Sequence, residues 1–462
     1  MQHSITGQYL ARYQRLARDP GGPRELLPVT GAQRRFLLVR ALDPQGRPDI
    51  VPLFFAFPRG TVDLARMRRA AGHLATLHPA LRARPEVVRG APVHRLTEAD
   101  VPVERVETAP GEDSAAALRR TLRGWSAQGS PLRIYLASAP DASEEAASGE
   151  GVGEEVAEEI LTIALDHAAC DGQSLSRVTE ELSAAYSAGS GPEDVAPARA
   201  AQEVVAYREA VLLQLDAEGR ASAPGDLAYW GERLRPVRAQ APEARAPEAG
   251  ALPTGGAELR LPAAEDGAPP VPFPALLDAC ASAARALYGE DRVSPLGYPW
   301  GGRPAAAQPV LGCFLNTVVF PATAGAANRT AAEAGPESLY ELSAAWWDDL
   351  DHADTPYDEV VHAAREAGAP WSGRLDGLLT VEDLHRRPLR LGGVTGREVY
   401  VNGRPVRAPF AVSVSQGDGL LVRMVWDRAV LDDDRAADAF GELTGALSGH
   451  LRRLEPSSVP QF

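Results

Sequence analysis

The sequence predicts an α/β protein built as two layered domains, and three observations predict it. The chain has 462 residues, more than one core of ordinary size takes up, and 45% of them are apolar, enough for two cores. Strand-like and helix-like apolar patterns alternate along both halves. A stretch rich in Ala, Pro, Glu and Arg, residues 236–254, lies between them. We therefore expect a first domain over residues 1–235, a linker over 236–256 and a second domain over 257–462.

In the first half, Ile50 to Phe57 reads as a strand and Leu64 to Leu77 has helical apolar spacing. A strand pair, Leu132–Leu136 and Glu159–Leu165, flanks an acidic insert rich in Ala, Ser and Gly from about Asp141 to Glu155, which reads as a solvated, mobile hairpin loop. After it, Leu175, Val178, Leu182 and Tyr186 recur at helical period, so Gln173 to Tyr186 forms a helix that buries one face, with Asp171 or Ser174 at its start. In the second half Glu258–Leu261 is a strand and Pro274–Tyr288 a helix. The strand Gly419–Trp426 precedes a long helix, Asp433–Leu451, whose acidic first turn suits the helix dipole.

Composition excludes several classes of function. A net charge of −15 argues against nucleic acid or an anionic membrane as the main partner, because both require a basic surface. The start of the chain has no basic region followed by an apolar core, and no apolar run is long enough to cross a bilayer, so a cytoplasmic protein is expected. Three cysteines and nine scattered histidines make neither a disulfide framework nor a metal site. No phosphate-binding loop or dinucleotide fingerprint is present, so no bound cofactor is expected.

The chemistry concentrates in Asp166-His167-Ala168-Ala169-Cys170-Asp171-Gly172-Gln173-Ser174, which follows an apolar strand and precedes a helix. A histidine of ordinary pKa, roughly 6.5, held at a strand end takes a proton from an amine or alcohol attacking a carbonyl, as acyl transfer requires. The stretch resembles the His-His-x-x-x-Asp-Gly signature of nonribosomal peptide synthetase condensation domains, within the chloramphenicol acetyltransferase-like superfamily. Four other segments match in the same order: Thr30-Gly31-Ala32-Gln33-Arg34-Arg35-Phe36, Leu77-His78-Pro79-Ala80-Leu81-Arg82, Gly312-Cys313-Phe314-Leu315-Asn316-Thr317, and His352 to Asp358. Ala228-Tyr229-Trp230 resembles the segment that closes the family's first half.

The resemblance implies two chloramphenicol acetyltransferase-like subdomains in a V-shaped pseudo-dimer, with the active site at their junction. It implies a tunnel in which a carrier protein's phosphopantetheine arm presents an acyl or aminoacyl thioester to an amine or alcohol. His167 is then the group that orients or deprotonates the nucleophile, and the Gly172 N–H donates to the developing oxyanion. Asp171 is structural, and Arg303 of Trp300-Gly301-Gly302-Arg303 is its expected ion-pair partner. Cys170, Gln173, Ser174 and Asn316 are tunnel candidates; for Ser174 a helix cap, for Cys170 a buried apolar role and for Asn316 a backbone-satisfying role stand beside this.

Asp166 departs from the signature, which has histidine there. Its carboxylate either orients nearby backbone or takes part in chemistry, since Asp166, Asp171 and Ser174 also fit the Asp-x-x-x-x-Asp-x-x-Ser pattern of heterocyclisation domains. His78 and His352 are expected to support the fold, and Trp346 and Trp347 to pack in the core. No carrier-protein or adenylation segment is visible, so a monomeric, free-standing condensation enzyme working with separate carrier proteins is expected. A condensation-like module that recruits partners without catalysis is the reading from a different class.

Overall fold

The computed structural model describes residues 4–18, 26–42, 49–126, 128–138, 157–238, 250–262, 271–322, 336–383, 388–416 and 419–454. The expected hairpin insert and most of the expected linker lie outside the described residues. In chain order the elements are α1 Ile5–Ala17, β1 Leu26–Leu27, α2 Gly31–Leu42, β2 Ile50–Pro58, α3 Leu64–Leu77, β3 Ala83–Val88, β4 Ala91–Leu96, β5 Val103–Val106, α4 Ser114–Arg123, β6 Leu132–Ser138, β7 Glu158–Asp166, α5 Gly172–Ala188 and α6 Pro197–Arg220. They continue as α7 Pro224–Leu234, β8 Thr254–Pro262, α8 Phe273–Tyr288, β9 Ser294–Gly301, β10 Leu315–Ala322, α9 Pro336–Asp351, α10 Tyr357–Glu366, β11 Gly377–Asp383, β12 Arg390–Leu391, β13 Val394–Thr395, β14 Arg397–Glu398, β15 Phe410–Gln416, β16 Gly419–Asp427 and α11 Asp433–Leu454.

The chain forms two compact units. The first comprises Met1–Ala217 with Gly302–Leu315 and Arg386–Val401; the second comprises Glu218–Gly301, Asn316–His385 and Asn402–Phe462. This differs from a single boundary at 236–256, and side-chain burial explains why. Trp230, on a helix expected to close the first domain, is 1% exposed within the second unit's core and donates its indole N–H to His352 O at 3.1 Å. In the other direction, 302–315 carries Arg303 and Phe314 into the first unit, and 386–401 contributes β14 to its sheet.

The first unit's main sheet has the order β14-β2-β7-β6-β5. Its centre is β7, antiparallel to both neighbours, with Ile50 opposite Asp166 and Leu132 opposite Leu165. Because side chains alternate across a strand, Leu161, Ile163 and Leu165 join one apolar cluster with α3 and α5, while Ala164 joins another with Phe54, Leu118 and Tyr135. Both faces are therefore covered, which is why the strand reads as a continuous apolar run. Helix α3 begins where the Asp63 carboxylate accepts the Ala65 and Arg66 N–H groups, and it buries Met67, Ala70, Ala71 and Leu74 on one face.

In the second unit a six-stranded sheet runs β10-β9-β11-β15-β16-β8, with β8, β15 and β16 antiparallel and β11 parallel to β9 and β15. Helices α8 and α11 pack their alanine- and leucine-rich faces into its core. Trp346 packs against this core as expected, but Trp347 is 61% exposed, because neighbouring helix positions point about 100° apart. Among the described residues no helix is long and apolar enough to cross a membrane.

Candidate functional site

The apolar run of β7 ends at Asp166, and a single 3₁₀ turn, His167–Ala169, follows. The strand ends there because Asp166 caps the turn, its Oδ1 accepting the Ala168 N–H at 2.8 Å. The Asp166 N–H is bonded to Pro131 O at 2.7 Å and the His167 N–H to Asp49 O at 3.0 Å, so the backbone that carries His167 is tied to both neighbouring strand ends. The His167 ring is half-buried against Phe36, with ring centroids 4.8 Å apart and planes inclined by 37°.

Helix α5 then starts with Asp171 as its N-cap and Gly172 as its first residue. Asp171 is 2% exposed, and its carboxylate is surrounded by donors: Ser174 N and Oγ at 3.0 Å, Phe314 N at 3.1 Å, and Arg303 Nη1 at 2.8 Å to Oδ2 and 3.0 Å to Oδ1. Arg303 is fixed in turn by Val310 O at 2.7 Å, Ser174 Oγ at 2.8 Å and the face of Phe314. A buried carboxylate and guanidinium thus satisfy each other and close a loop between α5 and residues 302–315.

Gly172 is exposed, and a Cβ built there would meet no atom within 4 Å beyond its chain neighbours and its own helix backbone. Its φ lies outside the left-handed region, so neither backbone strain nor internal crowding calls for glycine. It occupies the first turn of a 17-residue helix, where backbone N–H groups lack intrahelical partners and the dipole is positive. The open face beside it leaves room for an approaching group.

Of the nine residues singled out from sequence, Asn316 belongs to the second unit and the rest to the first. Gln173 is exposed, with its Oε1 accepting from Arg303 at 3.1 Å. Cys170 is fully buried in the apolar cluster and Ser174 is 1% exposed, in line with the buried and helix-start roles expected beside a tunnel role: one fills the core and the other completes the Asp171 network. Asn316 Nδ2 donates to Ala353 O at 2.8 Å and Thr355 O at 2.6 Å, satisfying backbone in its own unit. Asp166 is 6% exposed, and besides accepting from Ala168 it is bonded to Arg40 Nη2 at 2.7 Å, the backbone-orienting arrangement that was one of its two expected roles. Its carboxylate serves the turn.

His78 and His352 have structural partners, Glu181 at 2.5 Å and Asp226 at 2.6 Å. Burial pushes the Glu181 carboxyl up, but His78 and Arg177 outweigh it and hold it at about 2. A cavity of about 120 Å³ opens between Leu53 and Phe55 of β2, Leu175 and Thr179 of α5, and Gly396 and Glu398. It starts one helical turn along α5 from Gly172.

Three residues had no assigned role in the sequence reading. Gln33 Nε2 donates to Ala168 O at 2.7 Å, Arg40 holds Asp166, and the Asp49 carbonyl holds the His167 N–H. The helical spacing of Gln33, Phe36 and Arg40 was the available signal.

No family model matches the chain. Among curated proteins, it is 29% identical over 403 residues to CymA of Salinispora arenicola, named as a probable non-canonical nonribosomal peptide synthetase, covering 82% of this chain. It is 34% identical over 95 residues to tyrocidine synthase 2 of Brevibacillus parabrevis, covering 20% of this chain. The chain spans only 5% and 3% of the length of these relatives. Three solved structures share the fold. The first condensation domain of the calcium-dependent antibiotic synthetase, in complex with a substrate analogue, aligns at TM-score 0.65 and 17% identity, covering 92% of this chain and 96% of that one. The starter condensation domain of rhizomide synthetase aligns at 0.64 and 17%, covering 95% and 98%. The X-domain from teicoplanin biosynthesis aligns at 0.63 and 18%, covering 93% and 96%. The chain therefore has the condensation-domain fold, and its sequence similarity is to nonribosomal peptide synthetases.

Proposed function

We propose that the protein transfers an acyl or aminoacyl group from the phosphopantetheine thioester of a carrier protein to an amine, or to an alcohol, in nonribosomal peptide biosynthesis. The observation that carries this reading is the half-buried His167 ring at the end of β7, followed along the chain by the exposed Gly172 in the first turn of α5. A ring nitrogen that accepts a proton and a backbone donor for a developing oxyanion are the two groups that addition of a nucleophile to a thioester needs. In this reaction the nucleophile's electron pair forms the new C–N or C–O bond, its proton passes to His167, and collapse of the tetrahedral intermediate expels the pantetheine thiolate, which takes the proton.

A second reading is favoured by one finding. The teicoplanin X-domain shares this fold and has been solved in complex with OxyB, and recruitment of such a partner without acyl transfer is the non-catalytic alternative for this chain. Heterocyclisation requires Asp166 as a reacting group, and its bonds to Arg40 and Ala168 speak against that.

Intact-mass analysis of acyl-loaded carrier proteins with a panel of amines and alcohols separates these readings. Product formed by wild type, retained in part by Asp166→Asn and abolished by His167→Ala supports acyl transfer. Loss of water from the product that depends on Asp166 supports heterocyclisation. Absence of product above background, with a carrier or a tailoring enzyme still bound, supports recruitment.

A further inference from the structure

Helix α2 holds the turn that carries His167 residue by residue. Thr30 and Gln33 form a reciprocal capping box, Thr30 N–H to Gln33 Oε1 at 3.0 Å and Gln33 N–H to Thr30 Oγ1 at 3.3 Å, which fixes the start of the helix. From there one face of α2 reaches three consecutive residues in antiparallel order: Gln33 bonds Ala168, the Phe36 ring packs on the His167 ring, and Arg40 bonds Asp166. Residues 33, 36 and 40 share a face because they lie three and four apart. Arg40 Nη2 also lies 3.5 Å from Asp49 O, the carbonyl that accepts the His167 N–H. Arg40 therefore touches the residue before His167 and the acceptor of the His167 amide together.

Asp166 stands where the resembling signature has a histidine, and a nearly buried carboxylate requires a cation there that a neutral imidazole does not. The two side chains of the Arg40–Asp166 pair are 17% and 8% exposed, so neither is a surface partner whose bond water readily replaces. Other basic groups surround the pair. Burial, followed by the Arg40 charge, lowers fully buried His94 to about 4, and burial followed by Arg133 lowers Arg84, opposed by Asp100 and Asp166.

We propose that Arg40 is a positioning residue for acyl transfer: through Asp166 and the Asp49 carbonyl it sets the backbone and ring orientation of His167, compensating for aspartate at the first position of the motif. This rests on the reading of His167 as the group that handles the nucleophile's proton. Its consequence is that Arg40 acts on the transfer step and leaves substrate binding alone.

The test combines kinetics with a direct view of the ring. With loaded carrier protein, folded Arg40→Gln is expected to lower kcat about 10- to 100-fold while KM stays within about twofold. Arg40→Lys is expected to recover part of the loss, and Arg40→Gln combined with Asp166→Asn to be no slower than the worse single variant. In full-length protein labelled with ¹³C-histidine, with the His167 ring signal assigned by its loss in His167→Gln, the signal is expected to shift in Arg40→Gln. It is expected to stay in place in Arg69→Gln, which removes an exposed ion pair with Glu193. An unchanged kcat and an unmoved ring signal in folded Arg40→Gln would overturn the proposal, as would a loss confined to KM. If wild type forms no product, the catalytic reading fails by itself, and the ring signal still decides whether Arg40 positions His167.

Discussion

Replacing Asp171 with alanine removes the carboxylate that joins the start of α5 to residues 303–314, and the structure sets the size of the effect. The N-cap bond to Ser174 contributes about 1 kcal/mol in ordinary helices. The larger part comes from Arg303, whose side chain is 11% exposed and would be left as an uncompensated buried charge, so the total is about 3–5 kcal/mol. For a unit the size of the first one this corresponds to a fall in Tm of about 6–20 °C. Asp171→Asn keeps an N-cap acceptor but loses the charge, and is expected to cost about 2–3 kcal/mol. Urea denaturation of Asp171→Asn, Arg303→Met and the double variant measures the coupling directly. The double variant is expected to be more stable than the sum of the singles by about 1–3 kcal/mol. Additivity within about 0.5 kcal/mol would refute the claim that these two charges hold the loop together.

Three further outcomes follow from the same geometry. Gly172→Ala places a methyl group in open space at the first helical position, so Tm is expected to hold or rise slightly, while the transfer rate falls about tenfold or more as the approach to the N–H narrows; paired calorimetry and turnover check this. His94 is buried with its pKa held at about 4 against about 6.5 unfolded, so the unfolded chain takes up the proton first on acidification; its contribution to stability is full above about 6.5 and falls by about 3 kcal/mol as pH drops to about 4, so the difference between wild type and His94→Gln in urea midpoint shrinks over that range. Trp347→Ser changes stability by less than about 1 kcal/mol, whereas Trp346→Ala, which removes a partly buried ring packed against the second unit's core, costs about 1–3 kcal/mol in denaturant titrations.

Much of the fold was legible because the buried elements have clean periods. The helix expected over Leu64–Leu77 matches in both ends, and β2, β7, α5 and α8 fall within two residues of expectation. The unit boundary was not legible, because it depends on where Trp230, Arg303 and β14 are buried, and burial between distant segments leaves no local period. Strands β12 to β14 are two residues each and sit among glycines, too short for alternation to register. At the site, a buried carboxylate's need for a cation predicted that Asp171 would have a partner, and the family resemblance of the Gly302-Arg303 segment named Arg303 as that partner. Arg40 was missed for the complementary reason: Asp166 was read against a histidine it replaces, and the partner a carboxylate requires lies 126 positions away on another element. Cys170 and Ser174 show the reverse case, in which adjacency to a reactive residue along the chain does not bring a side chain into the open.

In the proposed reaction His167 takes the nucleophile's proton during acyl transfer. Its most direct test is the single-turnover rate of product formation from an acyl-loaded carrier protein by wild type and by His167→Ala, at equal concentrations of folded protein. A loss of about 10²- to 10⁴-fold in the variant, with carrier binding unchanged, is expected. Equal rates in the two proteins, or a wild-type rate no higher than the uncatalysed background, would contradict it.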